Sequence, residues 1–468
     1  MINVPALLNY INNNQKHTVD AKTTLDIYEG DLLKYVLASM QLEFTERAFK
    51  RTRERVPAIN VFQQYVDKVS KIYERPPRRS AVEENPIDED LISIYEKHYD
   101  INSAMQLANK LLTIHKSVAL EPFISEGVPY LRVLSADKFI AYSDDPVHPE
   151  KMTHFIKKMG SNPKTVMEGK RSYEKEVAIY HIYSKDSFYE IDSDGEILNQ
   201  LDNDLGVIPF VYITSDSLNL VPKQDSDNKE ISILIPKLLA DLAYSIKYQS
   251  HSIMYGIDVE IDDLDGNPDS FWQVSSKEGD NAKPSLGTIT PNADIQAVLS
   301  YIESVIAMWL SSKGLRPGSS GKMTVDQAAS GVAKMIDSAD VTAIRNSQVK
   351  IFSAAEKNLW QLTSILHEYW LLNDLLDPTV NDLRGFSSDF EVLLEYPEQK
   401  PIVDRKTVLE EIEKMFKMGL TNRRMALSFL FPEKTSFEIE ELIEELESSL
   451  NSIDIDDILD NQDQEVEE

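Results

Sequence analysis

The chain contains no cysteine. That absence removes disulfides, thiolate metal sites and cysteine nucleophiles together. In 468 residues it suits a reducing cytoplasm, or a particle that must not cross-link while it assembles. No uninterrupted apolar run approaches the ~18 residues that span a bilayer, so no membrane partner is expected. The opening stretch MINVPALLNYINNNQ lacks a basic region followed by an apolar one, and no signal peptide is expected. Positive charge is also scarce. Lys and Arg number 48 against 78 Asp and Glu, a formal net charge of −30. That argues against a simple duplex-DNA binder, because phosphate contacts want a basic face. No internal repeat occurs at a period of roughly 20–50 residues, which removes the solenoid signature.

What is present is enough for a sizeable core. Apolar residues make up 42% of the chain and aromatics 9%, which excludes global disorder. The charge is uneven. Residues 433–468 hold fifteen acids and one Lys, a net −14, whereas residues 46–79 hold ten bases and four acids. A solubilising end and a solvated helix face are the plain readings; a subunit interface or an acidic partner is the functional one.

Short motifs offer no catalytic machinery. GSSGKMT at 318–324 resembles a phosphate loop, but the first required Gly is Arg316 and the residue after Lys322 is Met323. Both the spacing and the metal hydroxyl fail. EIDSDGEILNQL and IDDLDGNPDSFW resemble calcium loops but end on Leu201 and Trp272 instead of a bidentate Glu. No HExxH and no GxSxG is present, and His98, His115 and His251 read as surface or satisfied core histidines. Acids are too numerous for sequence alone to rank a catalytic pair. No cofactor and no enzymatic activity are expected.

The chain reads as mainly α with β-rich subdomains, an α+β fold. Residues 20–116 carry helical periodicity. Val61, Phe62, Tyr65, Val66, Val69 and Ile72 form one stripe, and Pro76–Pro77 is expected to stop that helix. Residues 117–215 turn short and alternating: VALEPFI, VPYLRVLSA, KFIAYSD, THFIKKM, EVAIYHIYS and SFYEIDSDGEIL predict antiparallel strands. Asp194–Gly195 predicts a type I′ hairpin turn, and Pro209 an edge strand. Residues 227–255 predict a helix with Leu234, Leu238, Leu242, Ile246 and Ile253 on one face, starting near Pro236 or kinked there. A second β segment spans 257–291. Asn292 is the expected cap of a helix whose stripe is Ile295, Val298, Leu299, Ile302, Val305, Ile306 and Trp309, and Gly314 ends it. A Gly/Ser/Pro loop at 314–324 leads into a helical pattern over 325–373. DFEVLLEYP is one strand, and two or three short helices follow over 403–450.

That order of parts, with several local passages, resembles the portal proteins of tailed bacteriophages over roughly residues 20–450. INVFQQYVDKVSKIYERPP looks like the family's early helix ending at proline. NDLGVIPFVYI looks like its Gly-x-Ile-Pro strand. GSSGKMTVDQAASGVAKMID looks like its loop and Ser-Gly-x-Ala segment, and FEVLLEYPEQKPIVDRKTVLEEIEKMFKMGLTNRRMAL looks like its strand, proline and helix pair. The resemblance implies a non-enzymatic ring, usually dodecameric, at one capsid vertex of a virion assembled in the bacterial host cytoplasm. The wing would comprise 1–116 and 117–226, the stem helices 227–256 and 292–313, and the clip 257–291. A tunnel loop would span 314–324, a long wing helix and strand 325–402, the crown 403–450, and an acidic tail 451–468. Double-stranded DNA would pass through the channel without sequence preference. Lys313, Arg316, Ser319, Ser320 and Lys322 are the expected DNA-facing residues. Asp263, Asp265, Phe271, Trp272, Lys277 and Lys283 are the expected docking surface for terminase and then a head-completion or adaptor protein, with the major capsid protein and scaffold as further partners. Phe271, Trp272 and Trp309 otherwise read as core or interface aromatics. Rival readings are another ring or scaffold component of a virus particle, such as a capsid or baseplate protein, and a hydrolase with its site in 117–215.

Overall fold

Asn3 caps the first helix, its side chain accepting the Ala6 N–H at 3.1 Å, and Pro5 sits in the first turn, where a missing N–H costs nothing. The computed structural model describes residues 3–83, 85–168, 171–250, 253–257, 259–261, 274–276, 285–289, 294–315, 338–378, 382, 384–397, 405–431 and 436–451. Among these, α1 (Val4–Asn13), α2 (Gln15–Asp26), α3 (Leu32–Glu43), α4 (Glu46–Thr52), α5 (Val61–Val69), β1 (Arg78–Ala81), α6 (Pro86–Tyr99) and α7 (Ile101–His115) come first. A run of strands follows: β2 (Ser117–Ser125), β3 (Val128–Ser135), β4 (Phe139–Tyr142), β5 (His154–Glu168), β6 (Arg171–Ser184), β7 (Ser187–Asp192), β8 (Ile197–Asp202) and β9 (Val211–Thr214). Next are α8 (Ser226–Ser250), β10 (Ile253–Ile257), β11 (Val259–Ile261), β12 (Val274–Ser276), β13 (Ser285–Ile289) and α9 (Ile295–Ser312). The chain continues through α10 (Ser338–Leu372), β14 (Val392–Glu395), α11 (Arg405–Lys417), α12 (Arg423–Leu430) and α13 (Ser436–Asn451). The fold is α+β.

Two compact units result, neither continuous in sequence. One gathers Met1–Ala21, Asp67–Gln224 and Ser338–Glu468; the other gathers Lys22–Val66 and Asp225–Asp337. The boundaries therefore cut through the N-terminal helical region expected as one segment.

The first unit is layered. A five-stranded antiparallel sheet in the order β4-β5-β6-β7-β8 lies against a three-stranded one in the order β3-β2-β9. Phe139 and Phe155 of the larger sheet pack on Ala119 and Leu134 of the smaller and on Phe210, with the Phe155 and Phe210 rings stacked at 4.0 Å. Alternation along the strands sends Ile140, Ile156, Ile182 and Ile191 to the opposite face, where Leu7 and Ile11 of α1 cover them. Between the sheets, the buried Lys157 ammonium meets Glu121, which also accepts from Arg132 at 3.2 Å. α6 and α7 pack on the smaller sheet and carry α10, through Tyr95 to His367 at 2.8 Å and Asn109 to Gln348 at 3.1 Å.

A fully buried ion pair ties the helices to the two-stranded sheet of β1 and β14. Arg79 donates through Nε to Glu356 of α10 and through Nη1 to Glu96 and Asn102 at 2.8 and 3.0 Å. Tyr73 and Tyr396 both donate to the same Glu356 oxygen, at 2.7 and 3.1 Å. Burial, and next the Glu356 charge, hold the Tyr73 phenol well above its usual pKa, so it stays a donor.

Several expectations change here. The stripe from Val61 to Ile72 is buried as predicted, but α5 ends at Val69 and not at Pro76–Pro77. Side chains of α7 take over the backbone beyond it: Asn109 accepts the Ile72 N–H, Gln106 accepts the Tyr73 N–H, and Gln106 donates to the Ser70 carbonyl. β1, sequence RRSA, lies where helix was expected and pairs with the predicted strand β14. The type I′ signature is at Glu126–Gly127, with φ of 50° and 79° joining β2 to β3. A Cβ on Gly127 would come 2.8 Å from that of Asp377. Asp194–Gly195 does join two strands, but only Gly195 has positive φ, and Asp192 Oδ1 accepts the N–H groups of Asp194 and Glu196 instead. Pro209 precedes β9, which is an edge strand as expected.

Removing one member of a buried pair strands the other charge. Glu356→Gln is expected to lower stability by about 3–5 kcal/mol, whereas Arg79→Met with Glu356→Leu together should cost far less. Urea denaturation of the single and double variants measures the difference, and equal losses in both would contradict it.

Candidate functional site

The second unit holds the helix–β–helix segment on which the functional reading turns. α8 packs on α3 and on α9. It begins at Ser226, well before Pro236, which stands inside it. Proline lacks the N–H that would reach the Ser232 carbonyl, and the Ser232 hydroxyl donates to Asn228 O at 2.6 Å one turn earlier. The buried face is Ile231, Ser232, Ile235 and Leu242, rotated from the expected Leu234–Leu238–Ile246 line, with Ile246 exposed. Lys237 reaches Ser39 and Glu43 of α3.

α8 stops at Ser250, short of the expected 255, and Ile253 is already strand. β-branched and aromatic residues with a glycine (IMYGI) favour the pleated conformation over another helical turn. β10 pairs antiparallel with β13, Ile253 opposite Ile289 and Ile257 opposite Ser285. β11 pairs antiparallel with β12. The chain that leaves α8 is thus hydrogen-bonded to the chain that enters α9.

α9 is capped by Asp294, whose side chain accepts the Ala297 N–H at 3.0 Å; the cap expected at Asn292 lies outside the described residues. Leu299, Ile302, Ile306 and Trp309 are buried as predicted, with Trp309 edge-on to Tyr65 at 5.2 Å. The outward residues Ala297, Ser300, Tyr301, Ser304, Met308 and Ser311 are uncharged. α9 is long and apolar enough on average to cross a membrane, a property it shares with core helices of soluble proteins, while Gln296, Glu303 and the serines interrupt every apolar run.

Lys313 closes this helix. Its ammonium bonds Asp225 at 2.8 Å and Asp227 at 3.0 Å and is nearly buried, while Gly314 turns the chain with φ of 78°. An ammonium held by two carboxylates of its own subunit is not available to a phosphate, so Lys313 leaves the set of expected DNA-facing residues. Burial, then the two aspartates, push the nearby Tyr65 phenol up to about 12. Sequence could pair none of these, since Asp225 and Lys313 are 88 positions apart. Arg316, Ser319, Ser320 and Lys322 lie outside the described residues, as do Asp263, Asp265, Phe271, Trp272, Lys277 and Lys283.

The β region at 117–215 bears on the hydrolase alternative. Ser135 Oγ lies 3.0 Å from His115 Nε2, with Asp137 nearby. The trio is not wired as a relay: His115 Nδ1 makes no hydrogen bond to Asp137, whose Oδ1 is buried without a partner among the described residues and whose other oxygen faces Lys138 at 3.4 Å. Burial pushes His115 down to about 4, so it is neutral near pH 7. Asp145, Glu150 and Asp192 are all displaced downward. Backbone N–H groups hold Asp145 and Glu150, while Lys164 and backbone N–H groups outweigh the burial of Asp192. A general acid needs the opposite displacement. Among the described residues no group of three His, Asp or Glu could hold a metal ion.

No protein-family model matches this chain, and no curated protein matches it. Among solved structures, a chain of the virion of a native gene transfer agent (GTA) particle aligns over 80% of this chain and 90% of its own. The identity is 11% and the TM-score 0.32.

Two expectations follow. Lys313→Met leaves Asp225 and Asp227 facing each other and should lower stability by about 1–2 kcal/mol, allowing for their partial exposure; an unchanged urea midpoint would remove the clamp. For His115, both the folded and the unfolded chain are neutral above the ordinary pKa of about 6.5. Below it only the unfolded chain takes up the proton until the pH nears the folded value of about 4, so stability falls with pH over that window. His115→Gln should remove about 2–3 kcal/mol of the loss between pH 7 and 4.5, read by denaturation at both values.

Proposed function

We propose that this chain is a portal subunit: copies form a ring at one vertex of a tailed-phage-like particle, and DNA enters and leaves through its centre. The observation that carries the reading is the pairing of β10 with β13 between two packed helices. It makes Ser226–Ser312 a closed excursion, out through α8 and back through α9, with the β11–β12 pair at its far end. In the portal reading α8 and α9 are the stem and the far end is the clip, which meets the packaging motor and later an adaptor protein.

Charge supports a conduit. Each phosphate a protein neutralises adds affinity, and a channel that bound its cargo tightly would stall it. A subunit with net charge −30, repeated around a ring, leaves DNA free to slide if a few bases steady it. With Lys313 engaged inside the subunit, Arg316 and Lys322 are the residues assigned to that role. The motor, and not this chain, supplies ATP hydrolysis, in keeping with the failed phosphate-loop spacing.

Negative-stain microscopy of the purified protein is expected to show rings with an open axial channel; a monodisperse monomer at tens of micromolar would overturn the proposal. In a packaging assay, Arg316→Ala with Lys322→Ala should reduce DNA retention severalfold while leaving ring formation intact.

A further inference from the structure

α10 carries two charges on its core face. Val341, Arg345, Phe352, Glu356 and Leu359 fall on one stripe at helical spacing, and all are buried. Glu356 is wrapped by Arg79, Tyr73 and Tyr396. Arg345 is not matched in that way. It is 2% exposed, its Nη2 donates to the Pro397 carbonyl at 3.1 Å, and its Nε is buried without a partner. Among the described residues no carboxylate forms an ion pair with it. A guanidinium carries several N–H donors, and a single neutral carbonyl leaves most of them idle.

The charge beside Arg345 is a second cation, Arg75. Burial first, and then the Arg75 charge, displace the Arg345 pKa downward, yet a guanidinium stays protonated near neutral pH. Local structure holds Arg75 in place. It follows the short turn Ile72–Glu74 and precedes Pro76, which restricts its backbone to the extended region, with φ of −128° and ψ of 94°. Its side chain is exposed, and no ion pair or hydrogen bond engages it among the described residues. The two segments that satisfy Glu356 through Tyr73 and Tyr396 therefore meet Arg345 only with Arg75 and the Pro397 carbonyl.

A buried charge without an opposite charge is expensive. Two arginines side by side, with idle donors and no acid, form an arrangement that an anion stabilises. We infer that Arg345 and Arg75 bind a phosphate group between them. Each planar guanidinium can take a pair of oxygens. A carboxylate would satisfy one of the two forks, whereas a phosphate has oxygens for both. Free phosphate and the backbone of DNA both present that group. The burial of Arg345 favours the small ion, because a duplex cannot follow its own phosphate to a side chain so deeply covered. The site does not depend on the ring reading.

Thermal unfolding of the full chain in potassium phosphate, against potassium chloride at matched ionic strength, tests the site. The wild-type midpoint is expected to rise with the logarithm of phosphate concentration. Arg75→Ala, at an exposed position, should fold normally and lose that rise. Arg345→Met replaces the buried charge by an apolar chain of similar length. It should keep a midpoint near that of the wild type in chloride and gain nothing from phosphate. Equal phosphate shifts in all three proteins would reflect only the general effect of a kosmotropic anion and would overturn the site. So would an Arg345→Met midpoint far below the wild type in chloride, because the guanidinium would then have a partner within the subunit. A fluorescein-labelled duplex separates the two sources. Duplex binding that Arg75→Ala abolishes and free phosphate does not compete away would overturn the small-ion assignment in favour of DNA.

Discussion

The first unit depends on the buried contact between Arg79 and Glu356. Isolated in a medium of low polarity, either charge would cost several kcal/mol. Each is therefore wrapped: Arg79 by Glu96 and Asn102, Glu356 by Tyr73 and Tyr396. Those partners come from the segment after α5, from α6 and α7, and from the end of β14. The demand for satisfaction thus fixes five pieces of chain around α10, and β1 can exist as a four-residue strand of low intrinsic propensity because its second residue is anchored. Apolar packing of α10, through Phe352, Leu359 and Trp360, supplies bulk area. The polar cluster supplies register, since a slip by one residue would strand a full charge.

The same logic explains what the sequence could show and what it could not. The Val61–Ile72 stripe, the strands β2, β3 and β4 and the α9 stripe were legible because burial on one face imposes a period of 3.6 or 2. Arg79 and Glu356 are 277 positions apart, and nothing local marks either as buried. Nothing local marks RRSA as a strand until its arginine is paired. The distal half of the β5–β6 hairpin was missed for the opposite reason: GSNPKTVMEGKRSYEK has turn residues and charge but no sustained apolar alternation to read. Where α8 gives way to β10, a continuing apolar face concealed the change of period. The expected type I′ turn at Asp194–Gly195 failed because the Asp192 carboxylate collects the backbone N–H groups, a competition that turn propensity alone does not contain.

For the candidate site, the outline was legible and the roles were not. Helix, β segment and helix could be read in order from periodicity. Lys313 could not be assigned, because a lysine beside a Gly/Ser-rich loop looks free until its carboxylates arrive from Asp225 and Asp227. Its engagement ties the start of α8 to the end of α9, so that the excursion between them begins and ends at one fixed place.

A chain with net charge −30 must solve a further problem if it assembles with copies of itself. Within a Debye length of about 8 Å at physiological salt, like charges on adjoining copies repel. Contacts are therefore confined to surfaces that are neutral or locally complementary. The outward face of α9 is one such surface, since its exposed positions from Ala297 to Ser311 carry no charge. The acidic remainder then acts as a filter, opposing every other way in which two copies could meet. On the proposed reading, one charge distribution does two things: it selects the mode of assembly, and it keeps the finished channel from gripping a polyanion.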